Sequence, residues 1–153
     1  MVRLEQYGEQ ERQHLLNLPC PTYDNSPFVS GVTVKKSRVA LISTAGLHKI
    51  SDRPFGVGES GYRLIPGNSQ ANDLVMSHIS TNFDRTGYQL DLNTVFPLDR
   101  LNEMAETGTI GSVADYHYSF MGATDPVQME QEACNLASIL KNDHVDAVLL
   151  VPV

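Results

Sequence analysis

The sequence has no tryptophan, only two cysteines, and no basic cluster beyond the pair Lys35–Lys36. Cys20 and Cys134 are too few for a disulfide framework or a thiolate zinc site. Neither belongs to a C-x-x-C pair, so the chain carries no evident redox centre. Cys134 is expected to pack against the apolar stripe of its helix. Eleven basic residues against eighteen acidic ones leave a net charge of −7 and a pI near 5.1. Such a surface repels phosphate backbones, which argues against nucleic acid as a partner. No apolar run reaches membrane-spanning length, and the start, Met1-Val2-Arg3-Leu4-Glu5, turns acidic without a signal-peptide core. No membrane association and a cytoplasmic location are expected. G-x-G-x-x-G, G-x-x-x-x-G-K-[ST] and G-x-S-x-G patterns are missing, so dinucleotide, P-loop and elbow-serine chemistry lack support.

What is present is ordinary globular composition, 41% apolar and 19% charged, over 153 residues, the length of one domain. Residues 1–27 read as an N-terminal helix and strap, the helix running to Leu18 and ending at Pro19-Cys20-Pro21. The turn-rich stretch from Tyr23 continues to Ser37. Arg38 to Thr44 is a near-continuous apolar run closed by Ala45-Gly46, as in a strand buried on both faces. A long loop from His48 to Asn72 contains Gly56, Gly58, Gly61 and Gly67 and a short strand at Tyr62–Ile65. Another strand is predicted over Leu74–Ser80, and a polar loop over Asn82–Asn93. Leu98, Leu101, Met104 and Ala105 share a helix face starting near Pro97 and stopped by Gly108. A strand at Asp115–Phe120 precedes the strongest helix, Pro126–Lys141, capped by Asp125. That helix feeds the apolar strand Ala147–Val151. Alternating elements with apolar strands predict a three-layer α/β domain with a mainly parallel sheet.

Ligands of open α/β sheets bind beyond the carboxyl ends of the strands. Thr44, Gly46 and His48 follow the first buried strand, where a glycine admits a close ligand and the hydroxyl and imidazole offer polar contacts. Gly46 as a plain turn and His48 as a surface residue is the bland alternative. Ser77-His78, Asp84, Arg85 and Asp91-Leu92-Asn93 make a second cluster, suited to a metal, to acid–base work, or simply to pinning the loop. Its spacing matches no zinc motif. Arg53 and Arg63 could clamp a substrate carboxylate, or pair with Asp52 or Glu59. His117 reads as a strand residue packed among aromatics.

Several strings taken together are more specific: Ser43-Thr44-Ala45-Gly46-Leu47-His48, Asp52-Arg53-Pro54-Phe55, Ser77-His78-Ile79-Ser80, the run Asp91 to Leu101, and Gly108-Thr109-Ile110-Gly111. They resemble the selenoprotein B family of the glycine, sarcosine, betaine and D-proline reductases, and look nearest its D-proline branch. The likeness covers residues 28–153. It implies reductive cleavage of a C–N bond in a small amino-acid-derived substrate, with dithiol electrons and a selenocysteine nucleophile, which is ionised at neutral pH as a low-pKa thiol would be. It places that residue just beyond a strand resembling Asp146–Val153, where this sequence stops.

The resemblance therefore implies a piece of a reductase, inactive alone, with no cofactor of its own and with the family's selenocysteine absent. His48, His78 and Asp91 are the expected catalytic residues, gathered around one concavity, and Thr44, Gly46, Arg53, Arg63 and Asn93 the expected substrate contacts. The sheet is expected to continue past Val153, the chain ending at a selenocysteine codon read as stop. The uncovered apolar strand then favours a homo-oligomer, with other reductase subunits as further partners. Two alternatives stand beside this: a non-catalytic small-molecule-binding subunit, and a metal-dependent hydrolase or lyase using His48, His78 and Asp91.

Overall fold

The computed structural model describes residues 3–22, 29–80 and 85–153. Asp84, the first part of the expected strap at 23–28 and residues 81–83 lie outside the described residues. In chain order the elements are α1 (Glu9–Leu16), β1 (Arg38–Ser43), β2 (Leu47–Lys49), β3 (Arg63–Pro66), β4 (Leu74–Met76), α2 (Thr86–Leu90), α3 (Leu98–Glu106), β5 (Ser112–Val113), β6 (Tyr116–Ser119), α4 (Pro126–Asn142) and β7 (Ala147–Val151).

β1 is the central strand, as its apolar sequence requires. One edge pairs in parallel with β7, from Val39 opposite Ala147 to Ser43 opposite Val151. The other edge pairs in parallel with β5 near its start and with β6 near its end. β3 runs antiparallel beside β6. Alternation along β1 sorts its side chains into two cores. Val39 and Leu41 pack with Phe96, Leu98, Leu101 and Ile110 on the α3 side, while Ala40 packs with Tyr118, Phe120, Leu136 and Leu140 on the α4 side. Each fully buried leucine contributes about 2 kcal/mol, so these two stripes fix the three-layer arrangement.

Register slips between β5 and β6. Val39 lies opposite Val113 but Ile42 lies opposite Tyr118, so three residues of β1 face a strand that advances five. This bulge deprives the Leu41 N–H of a backbone acceptor, and Nδ1 of the fully buried His117 takes the bond at 3.0 Å. His117 also meets Phe96 edge-on, with ring centroids 6.1 Å apart.

Several local expectations are corrected. The first helix is shorter than predicted and buries no residue, because Gly8 stands as its N-cap and separates Leu4 and Tyr7 from the helical turns. The polar segment before Asn93 contains α2, and the strand at Leu74 ends at Met76 rather than Ser80. Cys134 is exposed, since the buried contacts of α4 come from Leu136 and Leu140. By contrast, the strand expected to be uncovered is so: Val148, Leu149 and Leu150 of β7 are 37%, 38% and 67% exposed. Among the described residues β7 pairs with β1 alone, so its outer edge is uncovered.

Candidate functional site

Backbone and side-chain contacts meet at the carboxyl end of β1. Gly46 has φ +65, a left-handed conformation that glycine adopts without strain. Its N–H donates to the Phe120 carbonyl at 2.8 Å, and its carbonyl accepts from the Ser77 N–H at 3.0 Å. A Cβ on Gly46 would sit 3.0 Å from the His78 backbone nitrogen, so this close approach excludes any other side chain. Thr44 binds the exit of β7: its hydroxyl accepts from the Val153 N–H at 2.8 Å and lies 3.2 Å from the Val153 carbonyl. Gly122 closes the group, its N–H donating to the Thr44 carbonyl at 2.8 Å. A Cβ there would collide with the carbonyls of Val153 and Thr44 and reach His78 Nε2.

Thr44, Gly46 and His78 are thus brought together. His78 is 5% exposed, and its Nδ1 accepts from the Ser80 N–H at 3.2 Å. Burial lowers its pKa, and the Arg85 guanidinium adds to that, against an opposing contribution from the Val153 backbone. Arg85 donates to the His78 carbonyl at 2.6 Å and to the Ser80 carbonyl at 2.8 Å. The neutral imidazole is therefore favoured near pH 7, and with Nδ1 accepting from Ser80 its proton lies on Nε2.

His48 lies on β2 opposite Val75 and is 3% exposed, a buried strand residue rather than a loop or surface one. Its Nδ1–H donates to the Lys49 carbonyl at 2.7 Å, leaving a buried Nε2 with no hydrogen-bond partner among the described residues. Asp91 and Asn93 build a cap. Asp91 accepts from both the backbone and side-chain nitrogens of Asn93 at 2.9 Å, and Asn93 also donates to Asp99. These hydrogen bonds, led by that of the Asn93 side chain, lower the Asp91 pKa. Among the described residues, no group of three or more His, Cys, Asp or Glu side chains is placed to hold a metal ion.

Arg53 and Arg63 converge on Glu59, each 2.7 Å from the same oxygen. Burial opposes ionisation of Glu59, yet the Gly56 N–H and the two guanidinium groups outweigh it and lower its pKa. Two hydrogen-bond routes tie this loop to the carboxyl edge: Phe55 N–H donates to Ser77 Oγ at 3.1 Å, and Thr124 Oγ1 donates to the Glu59 carbonyl at 2.9 Å. The pairing of Arg53 and Arg63 with Glu59 is the alternative that the sequence offered, whereas Gly122 and Thr124 were missed as parts of this edge. The rule that singled out Thr44 and Gly46 after β1 also selects Met121–Thr124 after β6, and its application there finds both.

The family model for glycine/sarcosine/betaine reductase selenoprotein B matches residues 10–153. The chain belongs to this family. It is 34% identical over 120 residues to the D-proline reductase subunit gamma of Acetoanaerobium sticklandii, covering 76% of this chain and 49% of that protein. It is 26% identical over 140 residues to the betaine reductase complex component B subunit beta of Peptoclostridium acidaminophilum, covering 87% of this chain and 32% of the relative. The same identity holds over 139 residues with the glycine reductase complex component B subunit gamma of Carboxydothermus hydrogenoformans, again 87% and 32%. The chain spans from about a third to about half the length of these relatives. No solved structure matches it. No helix among the described residues is long and apolar enough to cross a membrane.

Proposed function

We propose that this chain is the substrate-side α/β module of a selenoprotein-B-type reductase that cleaves a C–N bond in a small amino-acid-derived substrate. In the net step the C–N bond breaks, C–H and N–H bonds form, and a dithiol becomes a disulfide, supplying two electrons and two protons. On this reading the redox nucleophile belongs to polypeptide other than these 153 residues, which contain neither selenocysteine nor a C-x-x-C pair. The observation that carries this reading is the bound exit of β7. Thr44 holds Val153 by both backbone groups, with Gly122 packed alongside. A nucleophile following a strand of this kind is thereby delivered to the edge where His78 stands, neutral and with a proton on Nε2 to give to the departing nitrogen.

On this reading His78 is the proton-handling residue at the edge, and His48 supports the strand pair behind it. Asp91 and Asn93 hold the segment that leads into α3. Thr44 and Gly46 shape the wall that faces the substrate. The partners are other subunits of the reductase and a second copy of the chain, which together cover the apolar edge of β7 in the cytoplasm. The test is to purify the native assembly containing this chain and to measure dithiol-dependent loss of D-proline, glycine, betaine and sarcosine. One of them should be consumed by the assembly and none by the isolated chain. Turnover by the chain alone would refute the assignment of the nucleophile, and an assembly inert toward all four would refute the reading itself.

A further inference from the structure

Two arginines and one carboxylate leave the Arg53–Glu59–Arg63 cluster with one surplus positive charge, on a chain whose net charge is −7. We propose that Arg53 binds the carboxylate of the substrate, that Glu59 is its positioning residue, and that Arg63 is a structural anchor of the loop without a ligand role. This rests on the reductase reading and names the substrate group that the carboxyl edge recognises.

The two arginines differ in what they have left to offer. Arg63 is 14% exposed, and four of its five donors are occupied. Nε donates to the Arg53 carbonyl at 3.0 Å, Nη1 to the Tyr62 carbonyl at 3.3 Å, and Nη2 to the Pro54 carbonyl at 3.3 Å and to Glu59 at 2.7 Å. The guanidinium face lies 4.2 Å above the Phe55 ring. A cation engaged on its edges and covered on a face has no room for a second carboxylate. Arg53 is 75% exposed, and among the described residues its side chain makes one hydrogen bond, from Nη2 to Glu59. Its Nε–H, its Nη1 donors and the second Nη2–H remain open, and that Nη2–H forms a fork with either neighbour that matches a carboxylate bidentately beside Glu59.

Glu59 is fixed from behind as well as in front. Its other oxygen accepts from the Gly56 N–H at 2.9 Å, and its carbonyl accepts from Thr124. One end of the Arg53 side chain is therefore held while the other faces solvent, which lowers the ordering cost of binding. The Phe55–Ser77 and Ser77–Gly46 bonds place this loop against the segment that carries His78. Glycine, sarcosine, betaine and D-proline share the carboxylate and differ around the nitrogen, so Arg53 selects the class rather than the member.

The test is a titration of the isotopically labelled chain, followed by nuclear magnetic resonance, with D-proline and with D-prolinamide, which lacks the carboxylate. D-proline should shift the amide signals of Gly56, Glu59 and Thr124 and the Nε signal of Arg53, with D-prolinamide weaker by at least about ten-fold. Arg53→Gln should abolish the response with an unchanged melting temperature, and Arg53→Lys should restore part of it. Glu59→Gln, which retains the acceptor oxygen, should keep most of the response that Glu59→Ala loses. Equal binding by Arg53→Gln, or by D-prolinamide, would overturn the proposal. Acetate acting as strongly as D-proline would uphold the carboxylate site and count against the amino-acid substrate. No response to any carboxylate would overturn the role of Arg53 and leave the family membership standing.

Discussion

Replacing His117 by asparagine should flatten the acid side of the stability curve. The Leu41 N–H donates to His117 Nδ1 across the bulge, so that nitrogen must be unprotonated in the folded chain. Burial lowers the pKa from 6.5 to about 4, the Arg38 charge adds to this, and Asp115 opposes it. The unfolded chain therefore binds more protons than the folded one between pH 6.5 and 4. Stability from this group is fully present above 6.5, falls as pH drops through that window, and levels off below 4. A shift of this size is worth about 3 kcal/mol. The asparagine side chain would keep an acceptor near the position of Nδ1 and remove the titration, at a packing cost of about 1–3 kcal/mol from its smaller size. Urea unfolding at about pH 7, 5.5 and 4.5 should show the parent losing up to about 3 kcal/mol more than His117→Asn over that range. Carboxylates titrate alike in both proteins, so only the difference reports on position 117. Equal losses in the two would refute the argument.

Three further outcomes follow from single contacts. His144, at φ 56 just past α4, is in the left-handed region, so His144→Gly should raise stability by about 1 kcal/mol in thermal unfolding. Gly122→Ala should cost about 1–3 kcal/mol, through overlap with the Val153 and Thr44 carbonyls, and should shift the imidazole signals of His78. Leu150→Lys, at a position 67% exposed on the uncovered strand edge, should change stability by less than about 0.5 kcal/mol and reduce self-association in light scattering.

The α/β architecture was legible because local signals agreed with the global fold. The apolar run at Arg38–Thr44 became the central strand, Asp125 capped α4 through the Val127 N–H, and Gly108 ended α3 with φ 68. The corrections fall where neighbours distant in sequence decide. The bulge that recruits His117 depends on the offset between two strands that pair with a third. At the candidate site, Thr44 and Gly46 could be picked out by their place after a strand, and His78 lands beside them through the Gly46–Ser77 bond. Glu59 and Gly122 are fixed by partners far along the chain, Thr124 for the first and Thr44 and His78 for the second, so their sequence neighbourhood alone does not place them at this edge. The exposed network of Asp91, Asn93 and Asp99 shows the converse, polar residues whose hydrogen bonds serve the turn that enters α3.

The most direct test of the central claim is the structure of the native assembly with a bound substrate analogue. The account predicts that the ligand lies at the carboxyl edge of β1 and β6, its carboxylate on Arg53 and its nitrogen-bearing carbon toward His78, with the redox nucleophile following the strand exit held by Thr44. A competing location is the hollow of about 460 Å³ at the opposite end of the sheet, lined by Pro66, Asn68, Asn102 and Tyr116. A ligand found there, with Thr44, Gly46 and His78 away from it, would contradict the account.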